Sequence, residues 1–142
     1  MPETTFAYPW LAKMFHGAKY IIWHRHPYDS LFSEHKSDNL IRWDIDCPII
    51  KNKKIEKAVS WKYQYDLVKS TPKPMNIIQI KYEDFIKDHE KTKAKLEEFL
   101  NMKLVVPELR QDSVYKWKNL QHSYKNFKFL DGPMRKLGYS GV

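Results

Sequence analysis

The run from Ala18 to Ser33, AKYIIWHRHPYDSLFS, constrains the fold most, because it joins three local signals without interruption. Lys19 to Trp23 is short, apolar and rich in β-branched and aromatic residues, which predicts a buried parallel strand. Arg25 and Pro27 end it. Proline cannot donate to a β-ladder, but its fixed φ suits the first turn of a helix, and Tyr28 to Lys36 follows with no breaker. Strand, turn and helix in this order place the turn at the carboxyl end of the strand. There the free N–H groups of a helix start attract anions, and Arg25 adds a guanidinium. The expectation is phosphate chemistry.

The flanking segments extend this unit into an α/β fold. From Phe6 to Phe15, Trp10, Leu11, Met14 and Phe15 form one face of a short helix begun near Pro9, expected to pack on the strand that follows. Ser37 to Lys53 lacks a sustained period and predicts a loop with one helical turn, in which Trp43 and Ile49 plug onto the core or line a pocket. Lys53 to Ser70 has helical spacing at Ile55, Ala58, Trp61, Tyr65 and Val68, with Trp61 expected in the core, and Thr71-Pro72-Lys73-Pro74 stops it. Met75 to Ile80 is a second apolar strand, so a crossover and a parallel pair follow. A helix from His89 to Leu100 with Asp88 as N-cap buries Leu96, Phe99 and Leu100. Beyond it, Trp117, Leu120, Tyr124, Phe127, Leu130, Met134 and Leu137 keep helical spacing that Gly132-Pro133 is expected to break. The predicted class is α/β, a partial three-layer sandwich with a short parallel sheet flanked by helices.

Composition narrows the partners. A chain of 142 residues with 42% hydrophobic and 15% aromatic residues suits one folded domain, 1–142, rather than a disordered segment. A net charge of +8 favours an anionic partner, whether a phosphorylated nucleotide, a nucleic acid or an acidic polymer. Cys47 is the single cysteine, which excludes an internal disulfide and a cysteine-rich metal site, and makes the reducing cytoplasm the default location. No apolar run approaches the roughly 20 residues of a membrane span, and the first residues carry no signal pattern, so a soluble chain is expected.

Three motifs in order resemble the sulfotransferase family. The strand ending in Arg25, with Pro27, Asp29 and Ser33 after it, matches that family's Arg-x-Pro-x-Asp/Arg segment and the serine eight residues beyond the arginine. The strand running into Tyr82-Glu83-Asp84-Phe85, followed by a helix closing on Phe99-Leu100, is similar to its second hallmark. The Val114-x-x-Trp117 segment and the Leu137-Gly138-Tyr139 end resemble the finish of bacterial members. The resemblance implies the carboxyl-terminal part of the sulfotransferase, phosphate-loop-nucleotide-hydrolase-like fold. It implies 3′-phosphoadenosine 5′-phosphosulfate as co-substrate, Arg25 and Ser33 on its 3′-phosphate, Tyr82 near its adenine, and transfer to a hydroxyl or amine acceptor that the sequence does not identify. Read from the residues alone, Arg25 is equally a strand-end cation, Ser33 a helix-surface hydroxyl, and Tyr82 an aromatic strand cap. Glu83 and Asp84 read as structural acids that complement the next helix's dipole.

One expected part is missing. The family holds the 5′-phosphosulfate with a glycine-rich loop ending in Lys and Ser/Thr, but the glycines here, Gly17, Gly132, Gly138 and Gly141, precede no such pair. The chain therefore reads as incomplete at its N-terminus, with the catalytic base unknown and Glu3 the only acid near the position expected for it. His24 and His26 alternate along the strand end and read as polar rims of a nucleotide cleft; no acid or cysteine completes a metal site with them, and no metal is expected. A sheet edge left open predicts association, with a second copy or with a complementing N-terminal chain. The alternative function is a non-catalytic basic module that binds nucleic acid or a partner protein.

Overall fold

The computed structural model describes residues 2–32, 39–119 and 124–139. Two strands, β1 (Tyr20–His24) and β2 (Ile77–Lys81), pair in parallel with Tyr20 opposite Ile77 and His24 opposite Lys81. They form the sheet of the described residues, and both carboxyl ends fall on one side. The expected buried strand is half-exposed instead, with Trp23 open to solvent. Among the described residues no further strand covers the outer edges of this two-stranded sheet, and Trp23 meets the Phe85 ring at 5.2 Å between centroids.

The connection between the strands supplies the helices. Pro27–Leu31 forms α2, with Pro27 at its start and Phe32 as its C-cap; positions 33–36 of the helix expected to Lys36 lie outside the described residues. Leu40–Trp43 supplies the single turn expected in the loop, capped by Asn39. Trp43 meets Phe6 at 5.1 Å, whereas Ile49 is 83% exposed and plugs nothing. Lys53–Ser70 forms α3 over the predicted residues: Asn52 accepts from the Lys54 and Ile55 amides at its start, and Thr71 closes its end. The strand after it begins two residues later than expected, because Met75 lies almost wholly in solvent.

Pro2–Met14 forms α1, which begins seven residues before the predicted start and keeps Pro9 inside. The lost N–H of Pro9 is offset by packing on the turn before it, where Tyr8 is buried and Phe6 meets Trp43 and Tyr63. The helix does lie on β1, through Tyr8 against Tyr20 and the Tyr20 hydroxyl against the Leu11 carbonyl at 2.7 Å. The face expected to pack is turned outward, and Trp10, Met14 and Phe15 are all more than half exposed.

After β2 the chain turns at once into α4 (Tyr82–Lys87) and α5 (His89–Leu100), the latter capped by Asp88 and burying Leu96 as its spacing predicts. The last third is not one broken helix. It is a series of 3₁₀ turns at Gln111–Ser113, Lys116–Asn119 and Tyr124–Leu130, followed by α6 (Asp131–Lys136). Gly132-Pro133 sits in the first turn of α6, where a missing N–H leaves no carbonyl unpaired, so the pair starts a helix instead of ending one. Trp117, Phe127, Leu130, Met134 and Tyr139 from this segment pack on Tyr28 and Leu31 of α2 and Ala58 of α3 to form the core, with Trp61 partly buried beside them. No described helix is long and apolar enough to cross a membrane.

Candidate functional site

The turn after β1 is built by contacts that reach across the chain. His26 caps α2, its Nδ1 accepting from the Tyr28 amide at 3.3 Å, and its own amide donates to Glu83 Oε1 at 2.7 Å. The Arg25 carbonyl accepts from Trp61 Nε1 at 3.1 Å. Asp29, in the first turn of α2 and buried, accepts from the Tyr115 amide at 2.7 Å and the Trp117 amide at 3.2 Å. Strand end, helix start and the carboxyl-terminal segment are thereby tied together at one point.

Two of the three predicted ligand-binding residues meet there. The Arg25 guanidinium lies over the Tyr82 ring, 5.4 Å from its centroid, and its Nη2 donates to the Ser113 carbonyl at 2.8 Å. The Tyr82 hydroxyl and Ser113 Oγ are 3.1 Å apart. Arg25 Nε is buried and has no acceptor among the described residues. A guanidinium edge left without an acceptor in a buried place is costly, and an anionic oxygen is the partner that would satisfy it. The donor's 3′-phosphate therefore fits the groups present. Ser33, the third predicted residue, lies outside the described residues, as does the side chain of Glu3.

Behind this pair a second network holds Gly138 and Tyr139. Glu83 Oε2 accepts from the Tyr139 hydroxyl at 3.0 Å, and Lys81 Nζ donates to the Gly138 carbonyl at 3.0 Å while lying 5.0 Å above the Tyr139 ring. Burial pushes the Glu83 carboxyl above its ordinary value, and the nearby Asp29 charge adds to that. Burial and the adjacent Glu83 carboxylate likewise push the Tyr139 phenol far up. Both shifts go with a shielded hydrogen bond, and the Glu83 carboxylate, expected only to complement the next helix's dipole, also ties the His26 amide to the Tyr139 hydroxyl.

His26 does not rim a cleft. It is 2% exposed and its ring stacks on Trp117 at 4.7 Å, with Tyr139 edge-on at 5.0 Å. His24 instead faces Gln79, 3.2 Å from it across the sheet, and burial with the neighbouring Lys81 charge lowers its pKa. The two histidines thus have separate surroundings. No group of three His, Cys, Asp or Glu is gathered among the described residues.

Sequence reasoning passes over Ser113, whose contribution to Arg25 is a backbone carbonyl and carries no residue-type signal. Tyr115 has one in retrospect only: its φ of 59° is unusual for a residue with a side chain, and it turns the Tyr115 amide onto Asp29. Asp29 was legible as part of a motif, but its role as an anchor for a segment 86 residues away was not.

Comparison with known proteins agrees with this architecture. A family model described as Sulfotransferase family matches residues 1–105. A solved structure described as a sulfotransferase domain from the curacin biosynthetic pathway is similar over the whole chain, with 19% sequence identity and a TM-score of 0.74. The chain spans 60% of the length of that structure. No curated protein matches the sequence.

Proposed function

The chain belongs to the sulfotransferase family, and we propose that it grips the 3′-phosphoadenosine end of 3′-phosphoadenosine 5′-phosphosulfate at the carboxyl ends of β1 and β2. The observation that carries the proposal is Arg25, fixed on the Tyr82 ring and on the Ser113 carbonyl with its buried Nε left for an outside acceptor. Arg25 supplies charge and a defined donor direction to the 3′-phosphate, Ser33 a hydroxyl to the same group, and Tyr82 an aromatic wall beside the adenosine. The Asp29 and Glu83 ties hold the arginine's turn so that little ordering remains on binding.

The reaction is transfer of the sulfuryl group to a hydroxyl or amine. The acceptor's oxygen or nitrogen bonds to sulfur, the bond from sulfur to the bridging phosphate oxygen breaks, and adenosine 3′,5′-bisphosphate leaves with the electron pair. None of the glycines in residues 1–142 precedes a Lys-Ser or Lys-Thr pair, and no residue of this stretch is assigned to the 5′-phosphosulfate. The base that takes the acceptor's proton is not assigned.

Isothermal titration with adenosine 3′,5′-bisphosphate tests this. The expected result is saturable binding that Arg25→Ala weakens about 10- to 100-fold, the range for a charged hydrogen bond lost with its partner. Equal affinity in wild type and Arg25→Ala overturns the assignment. A basic module for nucleic acid draws support from exposed aromatics: Trp10 and Phe15, which were expected to pack on the strand, and Phe129. RNA or DNA affinity that falls steeply with salt, without preference for the bisphosphate, would favour it.

A further inference from the structure

A concave site lies at the end of the sheet opposite Arg25 and Tyr82. It is a groove of about 760 Å³ between α1 and the segment that leaves α3 for β2. Pro74 and Met75 precede β2, and His16 precedes β1, so the groove faces the amino ends of the strands. Five strand residues at about 3.3 Å each separate it from Arg25 and Tyr82. Its volume falls within the roughly 300–1,000 Å³ of small-molecule pockets.

The walls are apolar and stiff. Pro9, Pro72 and Pro74 have fixed φ, and Ala12 and Leu67 complete the apolar surface between them, so the groove needs little ordering to receive a ligand. The rim is basic: Lys13, His16 and Lys73 face the same space, no acidic side chain lines it, and none of the three makes an ion pair among the described residues. The hydroxyls of Ser70 and Thr71 already donate to the Leu67 carbonyl, which leaves these cations as the side-chain donors open to a ligand.

We propose that this groove binds a small anionic amphiphile, such as a medium-chain carboxylate, with its hydrocarbon against the prolines, Ala12 and Leu67 and its acid group against Lys13, His16 and Lys73. The site is separate from the donor site, and its occupant is neither nucleotide nor acceptor there.

Titration of the full chain with decanoate, followed by calorimetry and by the Ala12 and Met75 methyl resonances, tests it. The expected result is saturable one-to-one binding, unaffected by adenosine 3′,5′-bisphosphate and weakened at least about tenfold when Ala12→Trp fills the groove. At the exposed Lys73, Lys73→Glu weakens decanoate severalfold while leaving decanol unchanged, a comparison that holds whether or not Ala12→Trp folds. Absence of saturable binding overturns the proposal, and so does decanoate affinity that Lys73→Glu leaves untouched. Competition by the bisphosphate would place the ligand in the donor site instead. Failure of bisphosphate binding leaves these outcomes intact, because they read a different end of the sheet.

Discussion

The two ends of the β1–β2 pair are built on opposite principles. At the carboxyl end, Arg25, His26, Asp29, Glu83 and Tyr139 satisfy one another or the backbone through contacts between residues 56 to 88 positions apart. At the amino end, Trp10, Met14 and Phe15 stand in solvent, and Lys13, His16 and Lys73 ring an open groove. The polar end is held by contacts to distant residues, whereas the apolar end is held by its own helix and by Tyr8. The difference teaches that a site for a doubly charged ligand needs long-range closure, since the turn that carries the arginine is held by Glu83 and by the Asp29 tie to residues 86 and 88 positions away.

The largest break in that contrast is Asp29→Ala. The part-buried Tyr115 amide and the buried Trp117 amide lose their acceptor, and at about 1–3 kcal/mol each the chain loses about 3 kcal/mol, to be read by urea denaturation. Gly138→Ala has a smaller effect. A Cβ there meets Lys81 Nζ at 3.0 Å and the φ of 71° disfavours a side chain, so a loss of about 1 kcal/mol and a loosened Tyr139 are expected, the latter visible in amide exchange.

Glu83 sharpens the comparison through pH. Its carboxyl is raised by burial, so the folded state binds a proton more tightly than the unfolded chain. The stability this gives is present below the ordinary carboxyl value of 4.5 and fades as pH rises through the raised value. Wild type should therefore lose stability relative to Glu83→Gln over the interval just above that ordinary value, and a parallel pair of pH curves would contradict the buried placement. The smallest effect belongs to the other end, where Trp10→Ser should change stability by no more than about 0.5 kcal/mol by thermal melting.

Local periodicity made much of the fold legible. The helix Lys53–Ser70 and the cap at Asp88 appear where their spacing and capping residues place them, because each depends on neighbours within a few positions. The face of α1 was misread because the same spacing permits two buried stripes, and Tyr8 rather than Trp10 finds the strand. The last third failed as a helix because its apolar residues are placed by the core they fill and by the Asp29 tie, not by their own hydrogen bonds. In the site, Arg25 and Tyr82 were legible as motif residues, while the carbonyl of Ser113 that orients the arginine was not.

The central claim is that Arg25 presents its buried Nε to a phosphate, and the Arg25 Nε–H resonance in a titration with adenosine 3′,5′-bisphosphate tests it most directly. The account predicts a downfield shift that saturates with the calorimetric binding curve and slower exchange of that proton with water. A resonance that stays in place while the nucleotide binds would contradict it.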